Sequence, residues 1–254
     1  MKKILLACDL DNTLIYSYRH RKPEDICVEM IKEREQSFMT PKAFEMLKEV
    51  SEKVEVVPVT TRSMEQYKRI NLPVGDNVHY AISTNGAILL ENNEIQPEWR
   101  SFVQKDIDNY MDEILALMPE FTDTDKFEKC RIIDESYLFV YCNPDFDVEA
   151  CADYYRTKTN MEIGTTGRKL YFFPPEISKG NAVKKLKNML EHSLLICAGD
   201  SPIDASMLQE ADIAVVPHFY DVSTLSCKDI RICEENKNFA EFVLETVYKE
   251  AVSV

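Results

Sequence analysis

Four short, largely apolar runs, separated by helical patterns, most constrain the fold of this chain. They are Ile4–Cys8, Val54–Val59, Leu194–Ala198 and Ile213–Val216. Apolar runs of this length are typical of strands buried on both faces of a parallel sheet. Helical segments alternate with them, and the first begins at Thr40-Pro41, an N-cap followed by proline at the first helical position. The pattern predicts an α/β fold with a Rossmann-like parallel sheet.

The segment between residues 87 and 169 follows a different pattern. An amphipathic helix at 98–118 and a second helix at Val148–Lys158 alternate with two pairs of antiparallel strands. The parallel pattern resumes at Ser178. We therefore predict a discontinuous core, residues 1–86 and 170–254, with an inserted α+β cap domain at 87–169. Residues 28–39 are expected to form a small hairpin on the core.

Charge and length exclude several classes of partner. Acidic residues outnumber basic ones 44 to 30 in the 254 residues, and the net charge is -14. Such a chain repels nucleic acid and anionic membranes over most of its surface, so we expect neither as a partner. An anionic substrate would need a local positive site built against this field. We expect a monomer or a weak homodimer.

The beginning of the chain resembles a secretory signal only superficially. Its apolar run, Ile4–Cys8, is shorter than the roughly 7–15 residues of a signal sequence and ends at an acid. No apolar stretch approaches the roughly 18 residues that span a membrane. None of the eight cysteines forms a C-x-x-C pair, so we interpret them as small buried side chains. These features predict a cytoplasmic location.

Two acids, Asp9 and Asp11, directly follow the first predicted strand. Ligands of parallel sheets bind beyond the carboxyl ends of the strands, so both side chains can face one pocket. Two carboxylates so close together need a cation or a shared proton, and a hard divalent metal would supply the cation. The alternative is an Asx turn or a helix cap formed by Asp11.

Polar residues also follow the other predicted strands. Thr60 ends the second strand, where its hydroxyl suits a phosphate oxygen, although an ordinary helix cap is the alternative. Asp200 and Asp204 follow the strand Leu194–Ala198, and Lys179 begins a helix, where a cation opposes the helix dipole. A lysine at that position is better explained by an anion nearby.

These segments, in this order, resemble the motifs of the haloacid dehalogenase (HAD) superfamily of phosphotransferases. Its four motifs correspond to Asp9-x-Asp11-x-Thr13, Thr60, Lys179 and Gly199-Asp200-x-x-x-Asp204. An insert between the second and third motifs resembles the C2-capped branch, in the group of the Cof-like and sucrose-phosphatase-like proteins. Ser83-Thr84-Asn85-Gly86-Ala87 is similar to the junction between core and cap in that branch.

The resemblance implies a mechanism and a set of site residues. Asp9 would be the nucleophile that forms an aspartyl-phosphate, and Asp11 the general acid and base. Thr60, Thr61 and Lys179 would bind the phosphoryl oxygens. Magnesium would be held by Asp9, Asp11 through its backbone carbonyl, Asp200, and Asp204 through water unless Asp204 orients Lys179 instead. Further candidates for the substrate site are Asn85, Arg62 and Arg168.

The sequence departs from the family pattern at three positions. Asn12 and Thr61 stand where relatives usually have glycine, and Ile203 replaces an asparagine before the second acid of the fourth motif. The last change removes a polar group near the metal. The resemblance predicts a Mg²⁺-dependent phosphatase for a small phosphorylated metabolite, such as a sugar phosphate. A phosphosugar mutase and a metabolite-binding protein without catalysis remain as alternatives.

Overall fold

A computed structural model describes residues 3–74, 80–122 and 124–253. Within these ranges the chain forms fifteen strands and seven α-helices. The strands are β1 (Ile4–Cys8), β2 (Tyr16–Ser17), β3 (Ile26–Ile31), β4 (Arg34–Met39), β5 (Glu55–Pro58), β6 (Tyr80–Ser83), β7 (Ile88–Glu91), β8 (Glu94–Ile95), β9 (Phe127–Ile133), β10 (Tyr137–Cys142), β11 (Glu162–Thr166), β12 (Lys169–Phe173), β13 (Leu194–Ala198), β14 (Ile213–Val216) and β15 (Asp229–Ile232). The helices are α1 (Pro41–Ser51), α2 (Met64–Tyr67), α3 (Pro97–Thr122), α4 (Val148–Arg156), α5 (Lys179–Leu190), α6 (Ala205–Gln209) and α7 (Phe239–Val252).

A parallel sheet forms the centre of the core, as predicted. Its strand order is β15-β14-β13-β1-β5, and every neighbouring pair is parallel. Leu6 in β1 faces Ile196 in β13 on one side and Val56 in β5 on the other. A parallel bridge between Val59 and Ile82 continues the sheet toward β6.

Helices cover both faces of this sheet because the strands are apolar on both. The residues of β1 are at most 4% exposed. On one face Leu6 and Ile196 pack in a cluster with Leu47 of α1 and Val243 of α7. On the other face Leu5 joins a second cluster that includes residues of α5 and α6. Burial of this kind contributes about 25 cal/mol per Å² of apolar surface.

A second, antiparallel sheet forms the inserted cap. Its order is β11-β12-β10-β9, and one face packs against α3 and α4 in a separate apolar cluster. The predicted α-β-β-α-β-β order is therefore found. The chain between β5 and the cap adds β6, β7 and β8, which pair antiparallel with one another.

Strand pairing differs from the predicted domain boundaries of 87 and 169. Ile88–Glu91 pairs with β6, whose neighbour is the core sheet, whereas Lys169–Phe173 pairs with β10 and β11 of the cap. On this pairing we propose that the inserted domain extends from 97 to 173. Sequence alone could not fix these limits, because an apolar strand carries no mark of the sheet it joins.

Some predicted elements are shorter or divided. The sequence after Ser201 predicts one helix from Pro202 to Ala211, but the structure has a 3₁₀ turn at Pro202–Asp204 followed by α6. The sequence also predicts a strand at Val78–Ser83, which is described only from Tyr80 onward, and its first two residues lie outside the described ranges. The predicted hairpin is confirmed as β3 and β4, with Glu29 opposite Ser37.

All eight cysteines lie within the described ranges, and each is a free thiol. Four are buried and four are partly exposed, so the interpretation as buried side chains holds for Cys8, Cys142, Cys197 and Cys233. In the parts of the chain that the structure describes, no helix combines the length and apolarity needed to cross a bilayer.

Candidate active site

The carboxyl ends of three core strands bring the predicted site residues together. Asp9 follows β1 and donates its backbone N–H to the carbonyl of Ala198, at the end of β13, over 2.9 Å. Thr60 follows β5, and its backbone N–H bonds the carbonyl of Ile82 over 2.9 Å. Because the strands are parallel, these ends meet at one edge of the sheet, where ligands of such folds bind.

Lys179 connects two of the acids at this edge. Its Nζ lies 2.6 Å from Oδ1 of Asp9 and 2.6 Å from Oδ1 of Asp204. The side chain is 2% exposed, so its charge is balanced within the protein. Burial opposes that charge, but Asp204 and Asp9 together raise the pKa of Lys179 above its ordinary value. A lysine is unfavourable at the start of a helix, and here two carboxylates compensate for its position.

The loop after β13 is built around Asp204. Its Oδ2 accepts hydrogen bonds from the backbone N–H of Asp200 and from both N–H and Oγ–H of Ser201, at 3.1, 2.9 and 2.9 Å. A side chain at Gly199 would place its Cβ only 2.4 Å from Cβ of Asp204, so glycine is required there. Both carboxylate oxygens of Asp204 are thus already bonded, and its direct partner is Lys179.

Asp9, Asp200 and Asp204 form a group of carboxylates that could hold a metal ion. One oxygen from each lies within 4.8 Å of the others. Burial, together with neighbouring acids, raises the pKa of Asp9 well above its ordinary value. Burial and Asp204 raise the pKa of Asp200 to about 6, and Thr13 donates to Asp200 over 3.4 Å. Carboxylates that resist ionisation together are what a hard cation would stabilise.

Asp11 points away from Lys179 toward a second set of charges. Nε and Nη2 of Arg62 donate to its two oxygens, each over 2.7 Å, while Nη1 of Arg62 donates to Glu29 over 2.8 Å. Burial would raise the pKa of Asp11, but the hydrogen bonds and the charge of Arg62, together with the charges of Lys169 and Lys179, outweigh burial and lower it. Asp11 is therefore ionised in this arrangement.

Glu29 is a site residue that sequence reasoning missed. It lies on β3 with a side chain 1% exposed, and it binds Arg62, Arg69 at 3.3 Å and the hydroxyl of Ser37 at 2.6 Å. The only signal in the sequence was an acid within an apolar strand pattern. The hairpin thus orients Arg62, which in turn holds Asp11.

Replacing Glu29 with glutamine is expected to lower the free energy of unfolding by about 1–3 kcal/mol, because a buried, charge-assisted set of hydrogen bonds is lost. Chemical denaturation would measure it. The matched control is Glu33→Gln, at the exposed tip of the same hairpin, with an expected change within about 0.5 kcal/mol. Equal stabilities of the two variants would contradict a structural role for the Glu29 charge.

A cavity of about 360 Å³ opens above Asp11 between the core and the cap. The core contributes Asp11, Thr61 and Arg62 to its lining, and the cap sheet contributes Arg131 and Lys169, among others. The cavity is large enough for a small metabolite and is closed on one side by the cap.

The remaining predicted residues occupy different places. Thr60 is 1% exposed, and its hydroxyl accepts the backbone N–H of Arg62 over 3.1 Å. Asn85, at φ 56°, donates to the carbonyl of Ile177 over 2.8 Å, and its Oδ1 has no partner among the described residues. Arg168 is paired with Glu128 over 2.6 Å and is not among the residues that line the cavity.

Ile203, where relatives have asparagine, contacts the cap rather than the acids. It packs with Tyr137 and Phe173 in a small apolar cluster on the inner face of the cap sheet. The Tyr137 hydroxyl also bonds the carbonyl of Thr61, and Asp134 accepts the backbone N–H of Met64 over 2.8 Å. These contacts hold the cap against the core, so the loss of a polar group at 203 is matched by a cap contact.

Comparison with known proteins agrees with the resemblance found in the sequence motifs. The family model described as haloacid dehalogenase-like hydrolase matches residues 105–216. No curated protein sequence matches the chain.

Solved structures share the fold over nearly the whole chain. Sucrose-phosphatase from Synechocystis sp. PCC6803, in complex with sucrose and phosphate, is 15% identical with a TM-score of 0.65, and the alignment covers 98% of each chain. A protein of Thermoplasma acidophilum is 17% identical with a TM-score of 0.64, covering 100% of each chain. The C-terminal domain of trehalose-6-phosphate phosphatase from C. albicans is 15% identical with a TM-score of 0.63, covering 100% of this chain and 94% of that one. The family match over residues 105–216 and the shared fold make this chain similar to the haloacid dehalogenase-like hydrolases.

Proposed function

We propose that this protein is a Mg²⁺-dependent phosphatase that hydrolyses a small phosphorylated metabolite of the sugar-phosphate kind through an aspartyl-phosphate on Asp9. The observation that carries the proposal is the contact of one buried lysine with Asp9 and Asp204 at the carboxyl edge of the sheet. Such a lysine fixes the orientation of Asp9 and can share its charge with phosphoryl oxygens. The fold is shared with sucrose-phosphatase and trehalose-6-phosphate phosphatase, which supports the substrate class.

The proposed reaction has two displacements at phosphorus. An oxygen of Asp9 attacks the phosphorus of the ester, the bond to the leaving oxygen breaks, and Asp11 gives that oxygen a proton. Water then attacks the phosphorus of the aspartyl-phosphate while Asp11 takes a proton from it. Inorganic phosphate leaves and the carboxylate of Asp9 is restored.

Asp11 must be protonated in the first displacement and ionised in the second, and its contact with Arg62 influences which form is present. With the cavity arranged as it is, Arg62 keeps Asp11 ionised, the form that takes a proton from water. A phosphoryl dianion entering beside Asp11 raises the pKa of that carboxyl and competes for Arg62. Substrate binding therefore favours the protonated acid that the first displacement requires.

The donor set fits magnesium. Asp9 and Asp200 present carboxylate oxygens, the ligand type that Mg²⁺ prefers, and burial followed by repulsion from neighbouring acids raises the pKa of both, which a cation would offset. Asp204 has both oxygens occupied by Lys179 and the loop, so we assign it to positioning Lys179. When bound, the ion would neutralise charge between Asp9 and the incoming phosphate.

The test is phosphate release from a panel of phosphorylated metabolites in the presence of Mg²⁺. We expect turnover that EDTA abolishes and added Mg²⁺ restores. As a readout independent of turnover, millimolar Mg²⁺ should raise the melting temperature of the wild type and have less effect on Asp200→Asn. Turnover that is unchanged in EDTA would contradict the metal site, and conversion of a hexose phosphate to its isomer without phosphate release would indicate a mutase.

A further inference from the structure

One face of the cap sheet lies toward the core. The strand register shows which residues of neighbouring strands lie side by side, and each such set forms a row across the sheet. Side chains alternate between faces along a strand, so residues two apart share a face. On the face toward the cavity, Arg131 in β9 lies opposite Phe139 in β10, which lies opposite Tyr171 in β12. The next row outward contains Lys129, Tyr141 and Lys169.

Two cations on this face lack a carboxylate partner. Other arginines of the neighbourhood are paired, Arg62 with Asp11 at 2.7 Å and Arg69 with Glu29 at 3.3 Å. Arg131 contacts the ring of Phe139, with its guanidinium 5.5 Å from the ring centroid, and forms no ion pair with any residue of the described ranges. Lys169 likewise has no carboxylate within 4.0 Å in the described part of the chain. Both nevertheless line the cavity.

The lining is therefore positive in a protein that is strongly negative. Among the described residues around the cavity there are four cations (Arg62, Arg69, Arg131, Lys169) and two carboxylates (Asp11, Glu29). The chain as a whole carries -14. An unpaired arginine in the lining of a pocket is well suited to bind a planar anion with two hydrogen bonds.

The two unpaired cations lie apart on the cap sheet. Lys169 lines the cavity together with Asp11 and Arg62 of the core. Arg131 is two strands and one row away, roughly 12 Å between Cα atoms from strand spacing and rise. The phosphoryl end already has Lys179 and Thr60, so Arg131 is available to a different group of the substrate.

We propose that the substrate carries a second anionic group, distinct from the scissile phosphate, and that Arg131 binds it with help from Lys169. The inference rests on the proposed phosphatase function and narrows its substrate class from neutral sugar phosphates to phosphoesters of sugar acids or hydroxy acids, or to bisphosphates. A carboxylate and a second phosphate share the chemistry that Arg131 recognises, and the choice of substrates separates them.

Matched substrate pairs test the proposal. 3-Phosphoglycerate and glycerol 3-phosphate differ only in a carboxylate against a hydroxymethyl group. 6-Phosphogluconate and glucose 6-phosphate differ in a carboxylate against an aldehyde, which in glucose 6-phosphate closes to the hemiacetal ring. Fructose 1,6-bisphosphate and fructose 6-phosphate test a second phosphate. With wild type, we expect kcat/KM to favour the anionic member of at least one pair about 10-fold or more. Arg131→Ala should lower kcat/KM for the anionic member about 10-fold or more, mainly through KM, and so remove most of the preference, and Arg131→Lys should retain part of it.

Lys129→Ala is the control, because Lys129 lies on the same strand and face and is exposed like Arg131, but does not line the cavity. It should leave the preference unchanged. Wild-type kcat/KM values that agree within about 2-fold in all three pairs would overturn the inference and leave the phosphatase proposal in place. A preference that Arg131→Ala leaves intact would have the same consequence. If no ester is hydrolysed, the phosphatase proposal fails. Calorimetric binding of the same pairs in Mg²⁺ then tests the inference about Arg131. If the anionic members do not bind more tightly, the inference is overturned as well.

Discussion

Asp9→Asn is expected to abolish phosphate release, with kcat reduced at least about 10⁴-fold, and to leave the fold intact. Loss of a nucleophile removes the covalent path altogether, and substitutions of this kind in other hydrolases cost of this order or more. Asparagine keeps the size of Asp9, and its carbonyl oxygen can still accept from Lys179, which lies 2.6 Å from the carboxylate. Single-turnover and steady-state phosphate release would measure the loss on the best substrate of the panel.

Stability is the control for this variant. Asp9 is 7% exposed among Asp200 and Asp204, which raise the pKa of its carboxyl together with burial. Removing its charge relieves that repulsion, so we expect a free energy of unfolding equal to or slightly above that of the wild type. Beryllium fluoride, which mimics an acyl phosphate, should protect the wild type against heat and not the variant. Retention of more than about 1% of wild-type turnover would exclude Asp9 as the nucleophile.

Strands with strong local signals could be predicted to the residue. The bounds of β1, β13 and β14 agree with the sequence analysis. Each is an apolar run that ends before a charge, a glycine or a proline (Asp9, Gly199 and Pro217), and such signals do not depend on the rest of the chain. Asp229–Ile232 was missed, because a four-residue edge strand with two charges has no pattern until its neighbour is known.

The sequence could predict that the acids lie at one edge of the sheet, but it could not identify the side chains that they contact. That Asp9 and Lys179 converge follows from strand order, which the motifs imply. That Arg62 holds Asp11 on one side and Glu29 on the other depends on how the β3–β4 hairpin folds back. Contacts between residues 33 and 51 positions apart are set by tertiary packing, and no local pattern encodes them. The positive lining of the cavity is hidden in the same way by the acidic composition.

The largest expected effect on stability is that of Asp204→Ala, about 3–5 kcal/mol of unfolding free energy lost. The variant breaks one of the two buried ion pairs of Lys179 and leaves a cavity where the carboxylate was, whereas Asp9→Asn keeps a hydrogen-bond acceptor for the lysine. It also removes the acceptor of three hydrogen bonds from Asp200 and Ser201, in a loop so tight that Gly199 admits no side chain. Urea denaturation followed by circular dichroism, in EDTA, would measure the loss.

Asp204→Asn separates charge from shape. The amide keeps the volume and one acceptor, so its oxygen can serve either the loop N–H groups or Lys179, and its NH₂ must face the other set of donors. We therefore expect an intermediate loss of about 1–3 kcal/mol. The control is Asp145→Ala, an exposed acid in the cap, with a change within about 0.5 kcal/mol. If Asp204→Ala also stays within 1 kcal/mol, Asp204 does not hold Lys179 in solution, and a direct role at the metal becomes the better explanation for its position. If the loss of unfolding free energy is largest for Asp204→Ala, intermediate for Asp204→Asn and smallest for the control, the stability of this core depends on the same carboxylate that orients the lysine beside the nucleophile.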